Sequence, residues 1–353
     1  MLTNPNPARK GWRMPAEWEP HQATWIAWPH QRDDWPGKFA PIPWIFVEIV
    51  RHLHLSERVG VLVHDDQTKR QAKRTLTRAG VDLGRIDFVS CPTDRGWMRD
   101  SAGIFVTNAG GDLALMDWGF NAWAKYDNWT IDDKTPEALA ARLKLPSWQP
   151  EYAGRRVVLE GGAIDVNGQG LLLTTEECLL SEVQQRNPGM TRADYEQVFA
   201  EHLGVRKVLW LGRGIAGDDT HGHVDDLARF VGPRTVVTGV EQNRDDPNYE
   251  PLQENLGRLR GMTDQDDMPL EIVPLPMPSP LTFRGQRLPA SYANFYIANG
   301  CVLVPTFNDA KDRVALNTLA KVFPDRAVVG IHAVDLVWGL GTLHCLTQQQ
   351  PRV

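Results

Sequence analysis

Residues 160–175 read EGGAIDVNGQGLLLTT, which is the pattern of a β-hairpin. Two apolar segments, AIDV and LLLTT, flank a turn that contains the pair Asn167-Gly168. An Asn-Gly pair between two such segments is a strong local signal for a tight turn between antiparallel strands. The stretch therefore predicts strand, turn and strand, and an acid, Glu160, stands just before the first strand.

The same pattern recurs along the chain at intervals of roughly 60 residues. Hairpins are predicted at 100–118, 223–239 and 291–307, and GTLHCLTQQ near the C-terminus is predicted to begin a last strand that pairs with the N-terminal ATWIAW. The segments between them have the patterns of helices at 67–80, 190–204, 254–259 and 309–324, and of strands at 59–63, 85–90, 205–211, 269–275 and 326–333.

These repeats predict an α/β fold built from five ββαβ units. One such unit buries too little apolar surface to be stable, whereas several units around an axis share a core. The chain has 353 residues, of which 42 % are hydrophobic, so it can form a large core. Because we find no linker that divides the chain, the sequence predicts one domain over 1–353.

Chemically active residues stand just before the first strand of the repeated hairpins. They are Asp100, Glu160, His223, Ser291 and Cys345. Units arranged around an axis bring equivalent strand ends together, so we expect these side chains to meet at one mouth of the fold. Each also has an ordinary structural interpretation, as an ion pair of Asp100 with Arg99, a turn at Glu160, a buried thiol at Cys345, or a metal cluster in HGHVDD (221–226).

The combination of a thiol, a histidine and several carboxylates indicates a cationic substrate. Carboxylates near a cysteine raise its pKa and repel its thiolate, unless the substrate itself carries positive charge. A guanidinium is planar and permanently cationic, and it matches carboxylates in bidentate pairs. Two aspartates can hold its carbon over the sulfur, and His223 can transfer the protons.

Composition excludes several other classes of protein. The net charge of −6 gives no basic surface for nucleic acid. No apolar run is long enough to span a membrane, and no secretory signal pattern is present. Four widely spaced cysteines argue against a zinc site or a disulfide scaffold and predict a cytoplasmic protein. No glycine motif indicates a nucleotide, so no cofactor is expected, and a homodimer is the default assembly.

The chain resembles the agmatine deiminase family, which also contains bacterial peptidylarginine-deiminase-like proteins. The resemblance runs nearly end to end, through MPAEWEPHQATWIAWPH (14–30), WMRDS (97–101), EGGAIDVNGQGLLLTTEECLL (160–180), GHVDD (222–226), ASYANFYIANGCVLVPTF (290–307) and HCLTQQQP (344–351). It implies the five-bladed, pseudosymmetric α/β propeller of the guanidino-modifying (pentein-like) group.

The resemblance also implies a reaction and a role for each site residue. Cys345 would form a covalent thiouronium, with His223 as acid and base. Asp100 and Asp225 would bind the guanidinium, Glu160 would support His223 or touch the substrate, and Trp97 would line the pocket. The implied reaction converts agmatine and water into N-carbamoylputrescine and ammonia, a step toward putrescine, without a metal or cofactor.

Three segments depart from the agmatine-specific pattern: NAWAKYDNW (121–129), DDTHGHVDD (218–226) and GLGTLHC (339–345). All three are expected near the site, with Asp219 and His221 facing the substrate tail. His344, next to Cys345 on the predicted strand, is expected to point to the opposite face and to be structural.

Other functions stay open at this point. They are deimination of free or peptidyl arginine or of another small guanidine, non-catalytic binding of a polyamine or guanidine, and metal-dependent hydrolysis at HGHVDD.

Overall fold

The quoted hairpin forms, with shorter strands than the sequence predicts. The computed structural model describes residues 6–353, so the predicted domain 1–353 begins outside the described range. The strands are β1 (His21–Ala27), β2 (Arg58–Val63), β3 (Ile86–Ser90), β4 (Ile104–Thr107), β5 (Leu113–Met116), β6 (Ser147–Trp148), β7 (Glu151–Tyr152), β8 (Arg155–Arg156), β9 (Asp165–Val166), β10 (Leu171–Thr175), β11 (Lys207–Leu211), β12 (Ala228–Phe230), β13 (Thr235–Val240), β14 (Glu271–Pro276), β15 (Thr282–Phe283), β16 (Gln286–Arg287), β17 (Tyr296–Ile297), β18 (Cys301–Thr306), β19 (Ala327–His332) and β20 (Gln348–Pro351).

Within residues 6–353, five mixed sheets share one strand order. They are β4-β5-β6, β9-β10-β11, β12-β13-β14, β17-β18-β19 and β20-β1-β2-β3. In every sheet an antiparallel pair is followed by a parallel pair; in four sheets the antiparallel pair is a hairpin, whereas β20-β1 joins the two ends of the chain and its sheet has the further parallel strand β3. This repeat confirms the predicted α/β class. The two remaining pairs, β7-β8 and β15-β16, are separate small hairpins.

The last sheet joins the two ends of the described chain. Strand β20 pairs antiparallel with β1, as the sequence predicted for the C-terminal segment and ATWIAW, and Thr24 lies opposite Gln349. The predicted start of this strand was wrong, because residues 343–346 form a turn. The amide of Leu346 donates to Thr342 O and that of Thr347 to His344 O, so these amides are not available for a ladder.

The helices are α1 (Ile42–Leu53), α2 (Asp66–Arg78), α3 (Met98–Ser101), α4 (Thr135–Leu143), α5 (Glu176–Leu180), α6 (Arg192–Leu203), α7 (Tyr249–Arg260) and α8 (Asp312–Val322). Helix α6 has the predicted ends: Thr191 forms a capping box with Asp194, and Gly204 ends the helix in the left-handed conformation. It buries Tyr195, Val198 and Phe199, each worth roughly 1.5–3 kcal/mol. Helix α7 begins five residues before the predicted helix.

The buried apolar side chains lie between the sheets and the helices that cover them. The largest cluster contains residues from both ends of the chain, among them Ile26, Phe46, Phe295 and Leu346. Cys345 lies close to the C-terminus, but the turn that carries it is held in place because Leu346 packs in this core. Among the described residues, no helix is long and apolar enough to cross a membrane.

Candidate active site

Cys345 lies at the bottom of a cavity, on the turn that precedes β20. Its side chain is buried, with Sγ 3.1 Å from Asn294 Nδ2 and 3.7 Å from Asp225 Oδ2. Burial raises the pKa of the thiol well above its ordinary value, and the charges of Asp225, Asp226 and Asp100 raise it further. These protein groups by themselves therefore favour the thiol over the thiolate.

His223 stands among three of the predicted carboxylates. Its Nδ1 is 3.9 Å from Asp100 Oδ1 and 4.0 Å from Asp225 Oδ1, and its Nε2 is 3.9 Å from Glu160 Oε2. Among the described residues neither ring nitrogen has a hydrogen-bond partner. Burial lowers the pKa of the imidazole, but Asp100 and other neighbours outweigh burial and raise it well above its ordinary value. The raised pKa favours the protonated ring, which can donate a proton.

Asp100 lies on the short helix α3 rather than on a strand. Its carboxylate accepts hydrogen bonds from the Trp123 indole (2.9 Å to Oδ2) and from the Gly162 amide (3.0 Å to Oδ1). Burial raises the pKa of this carboxyl to about 6. The indole is positioned by an unusual segment, since Ala122, Trp123 and Ala124 all have positive φ values of 49–58°. Strained backbone of this kind is typical of functional sites.

Arg186 holds one oxygen of Glu160 and His344 holds one oxygen of Asp225, and among the described residues each acid keeps its other oxygen unpaired. Arg186 Nε donates to Glu160 Oε1 at 3.0 Å and lowers its pKa to about 2, although burial acts in the opposite direction. His344 Nδ1 lies 2.7 Å from Asp225 Oδ2 and lowers the pKa of this acid, again against burial. Glu160 Oε2 and Asp225 Oδ1 have no hydrogen-bond partner among the described residues, so both can accept from a ligand.

The cavity above Cys345 has a volume of about 440 Å³. Cys345, Asp100 and Trp97 lie among its lining residues, and Trp123 and Tyr126 add aromatic walls. All three divergent segments contribute to the lining, as predicted from the sequence. A small, flat cation with an extended tail fits a site of this size and charge.

Asp219 and His221 differ in position. Asp219 lines the cavity, and its carboxylate accepts hydrogen bonds from Tyr126 Oη (2.6 Å) and from Lys125. The structure does not bring His221 to this cavity. Its Nε2 lies 3.1 Å from Ser181 Oγ, and it lines a separate surface depression. Positive φ values at His221 and Gly222 turn the backbone sharply between this residue and His223.

The expected orientation of His344 was wrong. Residues 343–346 form a turn rather than a strand, so the alternation of strand faces does not apply. His344 is buried, and its Nδ1 contacts Asp225 while its Nε2 contacts Glu17.

Sequence reasoning missed several further residues, above all Asn294, Arg186 and Trp123. Asn294 contacts Cys345, Arg186 contacts Glu160, and Trp123 contacts Asp100. Ser291, which the repeat singled out, instead donates from Oγ to Asp226 O. The signal for Asn294 was present, because it lies three residues after Ser291 within a segment matching the family.

One group of side chains has the composition of a metal site. Glu160, Cys178 and His223 each offer one ligand atom within 4.8 Å of the others. It is not the HGHVDD cluster considered from the sequence. Cysteine, histidine and carboxylate ligands suit zinc, but Arg186 at 3.0 Å from Glu160 opposes a cation there.

Comparison with known proteins places the chain in a family. The model of the Porphyromonas-type peptidyl-arginine deiminase family matches residues 13–351. The chain belongs to this family. Within the deiminase family, an agmatine deiminase of Pseudomonas aeruginosa is 35 % identical over an alignment of 375 residues, gaps included, which covers 99 % of each chain.

Solved structures of deiminases are similar along the whole chain. The agmatine deiminase of Enterococcus faecalis is 33 % identical with a TM-score of 0.91, and 99 % of each chain is covered. A cysteine-to-serine variant of the C. jejuni agmatine deiminase, solved with substrate bound, is 28 % identical with a TM-score of 0.85 over 96 % of each chain.

Proposed function

We propose that the protein hydrolyses agmatine to N-carbamoylputrescine and ammonia through a covalent thiouronium on Cys345. The observation that carries this proposal is a buried thiol among the carboxylates Asp100, Asp225 and Asp226, with Asp225 Oδ1 left without a partner among the described residues. This arrangement disfavours a thiolate in the empty site and favours a bound cation. The agmatine deiminases that resemble the chain over its full length support the choice of agmatine.

The guanidinium is proposed to bind between Asp100 and Asp225. Asp225 Oδ1 is the free acceptor, and Asp100 is fixed by Trp123 and Gly162. A cation held there lies close to Cys345, so it stabilises the thiolate, and the thiol proton leaves to solvent. Trp97, which lines the cavity beside Cys345, is proposed to form one wall of this position.

The first half of the reaction releases ammonia. The Cys345 thiolate attacks the guanidinium carbon and forms a neutral tetrahedral adduct. His223, which carries a proton at rest, donates it to one NH2 group of the adduct. The carbon–nitrogen bond breaks, ammonia leaves, and a thiouronium cation remains on the sulfur. Glu160, ionised because of Arg186, is proposed to hold the imidazole during this transfer.

The second half restores the enzyme. His223, now neutral, takes a proton from a water molecule as the water oxygen attacks the thiouronium carbon. The carbon–sulfur bond of the new adduct then breaks, the hydroxyl proton passes to the leaving sulfur, and the ureido product and the Cys345 thiol are released. Every step uses side chains of this chain and water.

The charges near the cavity mouth favour an amine tail over a carboxylate tail. Arg95 donates to Asp34 at 2.6 Å, and Lys125 is bonded to Asp219, so both of these cations are already paired. Asp33 also lines the cavity and adds negative charge, whereas the charge of Asp219 is offset by Lys125. Agmatine ends in an amine, whereas arginine ends in a carboxylate, so the mouth supports agmatine and Asp219 is proposed to face its tail.

The five sheets, each with an antiparallel pair followed by a parallel pair, support two structural proposals. We propose that they are the blades of a five-bladed propeller, and that the chain is a single guanidino-hydrolase domain. A cytoplasmic location and a homodimer stay predictions from the sequence.

The test compares agmatine, arginine and a blocked peptidyl arginine side by side. Ammonia and ureido product are measured with wild type and with Cys345→Ala, and Cys301→Ala serves as the matched buried-cysteine control. Turnover of agmatine by wild type and Cys301→Ala, but not by Cys345→Ala, supports the proposal. Preference for an arginine substrate would contradict the choice of agmatine and would indicate that the three divergent segments select arginine. Loss of activity with a chelator would instead support a metal site, such as the group of Glu160, Cys178 and His223.

A further inference from the structure

His344 lies between two buried carboxylates. Its Nδ1 is 2.7 Å from Asp225 Oδ2 and its Nε2 is 2.8 Å from Glu17 Oε2. His344 is 2 % exposed, Asp225 is 0 % exposed and Glu17 is 4 % exposed, so water does not separate these groups. A histidine with both ring nitrogens on carboxylates is a more specific arrangement than a packed core histidine.

This geometry determines the charge of the ring. An ionised carboxylate can only accept hydrogen bonds, so both nitrogens of His344 must donate. Glu17 is ionised, because Arg229 Nη2 at 3.0 Å and Arg99 Nη2 at 3.2 Å lie next to its carboxylate. A ring that donates from both nitrogens is an imidazolium.

We propose that His344 is a positioning residue whose imidazolium, held by Glu17, fixes Asp225 so that Oδ1 is presented to the guanidinium of the substrate. The inference rests on the proposed function. Asp225 Oδ2 is occupied by His344, and Oδ1 is the oxygen that has no partner among the described residues. The imidazolium thus selects which oxygen meets the substrate.

The same residue couples Asp225 to the nucleophile. The His344 amide donates to Asn294 Oδ1 at 3.1 Å, and Asn294 Nδ2 lies 3.1 Å from Cys345 Sγ. Because His344 and Cys345 are neighbours on one turn, the position of the sulfur and the position of the carboxylate are set together. The positive ring also offsets part of the repulsion among Asp100, Asp225 and Asp226 in the empty site.

Two substitutions separate the two sides of the ring. In His344→Asn the amide nitrogen can approximate Nδ1 and still donate to Asp225, whereas in His344→Gln it approximates Nε2 and reaches Glu17 instead. We expect kcat/KM for agmatine to fall roughly 10-fold in the Asn variant and roughly 100-fold in the Gln variant, since the hydrogen bond to Asp225, which contacts the substrate, is lost only in the second.

The loss should appear mainly as a higher KM, because Asp225 contacts the guanidinium already in the bound substrate. If His344 were only structural, both variants would lose activity equally and KM would not change. The loss of activity would then equal the loss of folded protein measured by thermal unfolding. That outcome, or a Gln variant more active than the Asn variant, overturns the proposal.

A second measurement does not depend on turnover. The ¹⁵N spectrum of the full-length wild-type protein labelled at histidine should contain, at about pH 7, a ring with both nitrogens protonated that disappears in His344→Asn. If wild type turns over no guanidine, the proposed function fails, but the spectrum still tests whether the His344 ring between Asp225 and Glu17 is protonated on both nitrogens. A neutral His344 ring overturns it.

Discussion

Replacing Gly162 with alanine would put a methyl group at the centre of the site. The added Cβ would lie 2.6 Å from His223 Nδ1, 2.9 Å from Asp100 Oδ1 and 3.0 Å from Asp225 Oδ2. Ordinary contacts of a Cβ begin near 3.4 Å, so the imidazole would have to move by about 0.8 Å. Gly162 is not among the glycines with positive φ, so alanine fits its backbone and the effect falls on the site alone.

The expected loss follows from this displacement. A misplacement of about 1 Å can lower a rate roughly 100-fold, which is about 2.7 kcal/mol of activation free energy. The methyl group also takes space next to the acceptors proposed for the guanidinium. Overpacking should lower the free energy of unfolding by about 1–3 kcal/mol, so most of the protein stays folded.

The assay measures kcat/KM for agmatine together with thermal unfolding. Gly257→Ala is the matched control, because Gly257 lies in α7 and nothing lies within 4 Å of an added Cβ. That variant should keep wild-type kinetics and gain up to about 1 kcal/mol of stability from the better helix former. Wild-type kcat/KM in folded Gly162→Ala would refute the placement of the guanidinium between Asp100 and Asp225, next to His223.

Three further predictions concern the same cavity. Cys345→Ala should lower turnover by at least about 10³-fold because it removes the nucleophile. Thermal unfolding should change little, because only one sulfur atom is lost. Near-wild-type turnover would exclude the covalent mechanism. Burial raises the pKa of Asp100 to about 6, so this acid gains a proton as the pH falls through that value, and kcat/KM should fall on the acid side. Trp123→Phe removes a hydrogen bond that favours the ionised form, so the acid limb should move to higher pH, and an unmoved limb contradicts the assignment. Asp219→Asn should raise KM for agmatine roughly 10-fold with kcat little changed, whereas an equal effect on a tail-less guanidine would place Asp219 outside the tail site.

Local patterns in the sequence predicted most of the secondary structure. The Asn167-Gly168 turn lies between β9 and β10, and the Thr191 cap and Gly204 end α6 as expected. These signals act between residues a few positions apart, so they can be identified without knowing the fold. The predictions failed where tertiary contacts control the backbone: Asp100 lies on α3, and Cys345 lies on a turn.

The sequence by itself determined the repeat, the residue types of the site and the family, because chemistry such as a thiol beside carboxylates and a histidine is carried by residue identity. Only the tertiary structure decided which of these side chains meet. It placed His344, Glu17, Asn294 and Arg186 at the site and left His221 on the surface. The physical reason is that burial and contacts between distant segments set the pKa values and hydrogen bonds, and neither has a local pattern in the chain.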